Sequence, residues 1–93
     1  MSEKKVAHRP QEQCFDLVIE GHRAVLEYRP RGDATIVFTH TGVPGPLEGR
    51  GIGSRLVRAG LAWAREGGYR IVPACWFVAG YVQRHREYQD LLA

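Results

Sequence analysis

Apolar and polar residues alternate with a period of two along the first half of the chain, then recur at helical spacing in the second. Over residues 14–20, Phe15, Leu17 and Ile19 share one side while Asp16 and Glu20 take the other, the pattern of a half-buried strand. Gly21-His22 supplies a short turn, and residues 23–28 alternate again with Ala24, Leu26 and Tyr28 aligned. Proline and glycine within residues 29–33 mark a chain reversal. A third and more apolar strand follows over residues 34–40, so an antiparallel meander opens the fold. The polar residues 1–13 read as a flexible lead-in to a single domain over residues 14–93.

Residues 41–50 form a loop punctuated by Gly42, Pro44, Gly45, Pro46 and Gly49. Ile52, Leu56, Ala59 or Gly60, and Trp63 then define an amphipathic helix over residues 51–66, stopped by Gly67-Gly68. Residues 69–74 form a fourth strand, and Pro73, which has no amide hydrogen to donate, demands a free edge or an end there. Phe77, Tyr81, His85 and Tyr88 predict one or two short closing helices. Strand, helix and strand make a βαβ unit with parallel strands and a right-handed crossover. Ligands bind such units outside the carboxyl ends of the strands, here His40-Thr41 and Ala74-Cys75, with backbones about 5 Å apart if the strands are neighbours. The glycine loop joins the first of these ends to the helix. His40, residues 49–53 and Cys75 thus converge on one edge of the sheet.

Three glycines in Glu48-Gly49-Arg50-Gly51-Ile52-Gly53-Ser54 strip side chains from the mouth of the helix. Backbone amides there can approach an anion, with the positive end of the helix dipole behind them, which suits a diphosphate. Charge adds little discrimination. The net charge of +3 is carried mainly by arginines, grouped at Arg50, Arg55 and Arg58 and again at Arg84 and Arg86. That balance fits a small anionic ligand or nucleic acid, but no nucleic-acid module or paired surface aromatics accompany it, so nucleic acid is not expected as a partner. Two cysteines make no disulfide framework. With no signal peptide or membrane-length apolar run, a reducing cytoplasm is the expected compartment. No Cys or His pair has ligand spacing, so no metal is expected.

The order of strand, glycine loop, helix and proline-broken strand resembles the central part of the GCN5-related N-acetyltransferases, whose pyrophosphate loop reads (Gln/Arg)-x-x-Gly-x-(Gly/Ala). His40-Thr41-Gly42-Val43-Pro44, the glycine loop, and Pro73-Ala74-Cys75-Trp76-Phe77 together are similar to the small single-domain, acyl-CoA-binding, YjdJ-like subgroup. The resemblance runs from about Phe15 to Leu92. It implies a minimal α+β (α/β) fold of antiparallel meander, parallel βαβ unit and short C-terminal helices, with coenzyme A held where two parallel strands splay. Glu48, Gly49, Arg50, Gly51, Ile52, Gly53 and Ser54 would cradle the diphosphate, and Thr39, Thr41 and Val43 would run along the pantetheine arm. Glu48 departs from the family's Gln or Arg, which weakens side-chain assistance more than the backbone cradle. The N-terminal helices that shape the acceptor groove in longer relatives are missing. The implied activity is transfer of acetyl from acetyl-CoA to an amine by a monomer or weak dimer; the alternative is a coenzyme A-binding module without efficient turnover.

Acyl transfer needs a deprotonated nucleophile, a polarised carbonyl and an acid for the leaving thiolate. Cys75 closes a strand and opens a helix, where a thiolate is favoured; it is either an acyl-accepting nucleophile or a packed cysteine. His40 is either a general base, acting on Cys75 or on the amine, or a support for the adjacent loop. Tyr81 is either the acid for the coenzyme thiolate, as in the wider superfamily, or a core aromatic. Arg84 is a candidate contact for the adenosine phosphates. Trp63 and Trp76 read as core, and His8 and His22 as solvated.

Overall fold

The computed structural model describes residues 5–93. Five strands form one sheet in the order of the sequence: β1 (Ala7–Arg9), β2 (Cys14–Ile19), β3 (His22–Arg31), β4 (Thr35–Gly42) and β5 (Arg70–Pro73). The first four are antiparallel neighbours, and β5 lies parallel to β4. The α1 helix (Ile52–Glu66) connects β4 to β5, and α2 (Trp76–Arg84) leads into a closing 3-10 turn (Arg86–Leu91). The predicted meander, βαβ unit and closing helices are therefore all present.

Alternation decides which face is buried. Phe15 and Leu17 of β2, Ala24, Leu26 and Tyr28 of β3, and Ile36 and Phe38 of β4 join Leu56, Val57 and Leu61 of α1 and Val78, Tyr81 and Val82 of α2 in one core. Both helices thus cover the same face of the sheet. Gly60 lets α1 lie close: a Cβ there would stand 2.9 Å from Leu26 and 3.0 Å from Phe38.

Four local readings need correction. Residues 7–13 are not a loose lead-in: β1 pairs with β2, while residues 1–4 lie outside the described residues. His8 of β1 stacks on Phe15 at 4.2 Å and shares a 2.6 Å hydrogen bond with the Tyr28 hydroxyl, so it is a packing residue, not a solvated one. The first reversal falls at Glu20-Gly21, both at positive φ, the backbone of a two-residue hairpin turn. Pro30 lies within β3 opposite Ile36, which moves the second reversal to residues 32–34.

An irregularity near the end of β4 decides which side chains reach the ligand edge. The β3–β4 register shifts between Glu27 and Tyr28: Tyr28 faces Phe38, but Glu27 faces His40. Thr39 is the extra residue of a bulge, and a bulge reverses the alternation beyond it. Phe38 points at the helices; after the bulge Thr41, opposite Leu26, does so again, and His40 points the other way.

Candidate functional site

Beyond Phe38–Pro73 the parallel ladder ends, because Pro73 has no amide hydrogen to extend it. The Cys75 amide makes one last bond to the Phe38 carbonyl at 3.0 Å, and the chain turns into α2. β4 continues alone to Gly42, leaving a free edge on the β5 side. A cleft of about 520 Å³ opens there, a size suited to a small-molecule ligand. Thr41, Gly42 and Val43 form one wall, Leu47 through the start of α1 the floor, and Trp76 and Phe77 the other wall.

The glycine loop borders this cleft. Gly49 and Gly51 stand at φ 81° and 73° with open space where a Cβ would be, and Gly51 is the N-cap of α1, with no side-chain cap. The amides at the helix mouth consequently point outward without a side-chain acceptor. Gly53 has a different reason. A Cβ there would lie 2.8 Å from the Phe77 ring, so Gly53 lets α2 close over α1. Glu48 and Ser54 also line the cleft, whereas Arg50 points away toward Glu20 at 3.4 Å.

Cys75 is the N-cap of α2 and is 6% exposed, immediately behind the wall formed by Thr41, Trp76 and Phe77. Its thiol donates to the Thr41 hydroxyl at 3.5 Å. Burial pushes the thiol up, but the Thr41 hydroxyl and the amides of Val78, Phe77 and Thr41 outweigh it, leaving Cys75 below the ordinary cysteine value. The sulfur thus sits in a ring of donors suited to a thiolate. Cys14, the other free cysteine, is buried beside Arg23; there burial wins and pushes the thiol up.

The structure brings together the glycine loop, Thr41, Val43 and Cys75, but not every predicted residue. His40 is exposed on the opposite face of the sheet, its Nε2 lying over Gly42, because the Thr39 bulge exchanges it with Thr41. It does not pair with Cys75. Tyr81 is buried one turn beyond Phe77, stacked on His85 at 3.9 Å, and does not line the cleft. Arg84 ends α2, about 12 Å along the helix from its first residue. Trp76, read as core, is 83% exposed at the cleft rim. Leu47, within the loop of residues 41–50, and Phe77, in the first closing helix, also line the cleft, which their sequence pattern did not single out.

Comparison with known proteins agrees with this geometry. A profile of the GCN5-related N-acetyl-transferase family matches residues 14–91. The chain is similar to protein NATD1 from Mus musculus, 32% identical over 83 residues that span 87% of this chain and 76% of that one. Protein NATD1 from Xenopus tropicalis is 31% identical over the same shares. A GCN5-like protein from Staphylococcus aureus, solved by NMR, superposes with a TM-score of 0.78 at 28% identity, covering 100% of this chain and 91% of its own.

Proposed function

The chain belongs to the GCN5-related N-acetyltransferase family, and on that premise we propose that it transfers acetyl from acetyl-CoA to an amine through Cys75. The observation that carries this reading is a low-lying thiol directly behind a cleft whose far end is an uncapped, glycine-lined helix mouth. In this reading the outward amides of residues 49–54 hold the diphosphate, and Glu48 lines the cleft without the side-chain assistance of the family's Gln or Arg. The free edge of β4 at Thr41, and Val43 just past the strand's end, pair with the pantetheine arm. That run delivers the thioester to the end of β5, beside Cys75. The thiol behind the cleft also agrees with the small YjdJ-like subgroup.

The Cys75 thiolate attacks the thioester carbonyl. A bond forms from Sγ to the acetyl carbon, the bond to the coenzyme sulfur breaks, and the coenzyme leaves as thiolate and takes up the proton lost by Cys75. The amine then attacks acetyl-Cys75, its nitrogen bonding to the acetyl carbon as Sγ departs. The departing Sγ takes up the proton the amine sheds; His40, on the opposite face of the sheet, is out of reach of this step. Tyr81 has no part in this sequence. Incubating the protein with acetyl-CoA and no acceptor should add the mass of one acetyl group, mapped to Cys75 and lost in Cys75→Ala. An unmodified wild-type protein would contradict the covalent route.

The second reading, a coenzyme A-binding module without turnover, draws on the slight exposure of Cys75 and on the separation of His40 from it. Steady, acceptor-dependent release of coenzyme thiol would end it.

A further inference from the structure

Both helices and the closing turn pack on one face of the sheet, and among the described residues no helix covers the other. Strand register maps that second face. Val72, Val37 and Arg29 lie in one row across β5, β4 and β3, and Arg70, Thr35 and Arg31 in the next. Toward the cleft end come His40, Glu27, Cys14 and Arg9, then Gly42, Val25 and Asp16. The half-buried pair Val37 and Val72 is therefore flanked by Arg29 in its own row and by Arg31 and Arg70 in the next, with half-buried Val25 beyond the His40–Glu27 row.

The charge on this face is one-sided. Asp16 is buried and already held by Arg9 at 2.8 Å and Arg23 at 2.9 Å. Arg23 also reaches Glu12 at 3.4 Å, so this cluster balances itself and the unpaired positive charge lies elsewhere on the face. Arg29 and Arg31 are exposed and have no carboxylate partner among the described residues. Glu27 is the one exposed acid in the mapped rows. The face also adjoins the free edge of β4, where residues 39–42 have no β5 partner. His40 and Gly42 lie there, with the acyl cleft on the far side of the same edge.

We propose that this helix-free face docks an acidic polypeptide segment and presents its amine to the acyl cleft across the free edge of β4. The acceptor class is then an amine on an acidic protein surface. A polyamine fails because it repels the same arginines. Nucleic acid is disfavoured because the mapped rows carry no Phe, Tyr or Trp and so no run of rings on which successive bases could stack. The acceptor role rests on the acetyl-transfer reading; the docking surface itself does not.

The probe is a fluorescein-labelled peptide with one lysine flanked by glutamates, followed by anisotropy at about 50 mM and about 500 mM salt. Its glutamine-substituted counterpart, spermidine and a single-stranded oligodeoxynucleotide are the competitors. The acidic peptide should bind and be weakened by salt. It should lose roughly tenfold in affinity in the double variant Arg29→Glu/Arg31→Glu and gain in Glu27→Gln, a change opposite in sign that no folding defect mimics. Calorimetry with acetyl-CoA should be the same for wild type and both variants. No binding of the acidic peptide, equal binding of the glutamine peptide, or indifference to all three substitutions overturns the proposal. So does displacement of the peptide by the oligonucleotide with the same arginine dependence. Peptide binding without any acetyl-CoA heat would uphold the surface and refute the coenzyme reading.

Discussion

The charge state of Cys75 depends on its neighbours more than on its exposure. Burial alone favours the neutral thiol; a hydroxyl and three backbone amides reverse that preference. Thr41→Val keeps the branched shape and removes the hydroxyl, so the thiol should titrate higher. The pH profile of iodoacetamide alkylation, read in a Cys14→Ser background, should shift upward; an unmoved midpoint would remove Thr41 from the site. The position of Cys75 was legible in the sequence, since a proline-terminated strand running into a helix places its last residue at the ligand edge. Its partner was not. Strict alternation carries His40 to that edge, and only the extra residue Thr39 exchanges His40 for Thr41. Nothing in Phe38-Thr39-His40 announces a bulge, because Thr and Phe are ordinary strand residues.

Close packing of α1 on the sheet and of α2 on α1 rests on two glycines with different surroundings. At Gly60 an added methyl meets Leu26 and Phe38, both fully buried, and neither has room to yield. Overpacking costs about 1–3 kcal/mol, and the helical gain of alanine over glycine returns about 1 kcal/mol. Gly60→Ala should therefore lower Tm by several degrees. At Gly53 the methyl meets only the far end of the Phe77 ring, which can swing toward the cleft. Gly53→Ala should leave Tm nearly unchanged and weaken acetyl-CoA binding. Thermal melts and calorimetry on the two variants check this, and the opposite ordering would contradict it. Long periodic segments such as β2 and α1 were readable from the sequence because many positions repeat one pattern. β1 was not, since three residues carry no period, and it is recognisable only through the pairs it makes.

The molecule is a two-layer assembly: helices on one face of a five-stranded sheet, with β1 as its outer edge. Two titratable groups hold that edge. Burial pushes His8 below the ordinary histidine value. Burial raises the Asp16 carboxyl, but hydrogen bonds from Arg9 and Arg23 outweigh this and leave it below its ordinary value. In both cases the unfolded chain binds more protons than the folded one within the titration window, so stability rises with pH. The His8 contribution is complete above a pH of about 6.5 and fades below it, ahead of the Asp16 contribution, which fades below about 4. Tm should therefore fall on acidification from neutral pH before carboxylates titrate, and His8→Phe should reduce that first fall; superimposable profiles would contradict the role of His8. No helix among the described residues is long and apolar enough to cross a membrane. The family and its fold were within reach of the motif order, whereas the helix-free face emerged only from register. What remains decisive is whether the helix mouth is an anion cradle. Titrating ¹⁵N-labelled protein with coenzyme A should shift the amides of residues 49–54 and of Thr41 and Val43 together, saturating at one stoichiometric equivalent. Spectra in which those amides stay still, or in which only surface arginines respond, would reduce the glycines to a tight bend and remove the basis for acyl transfer.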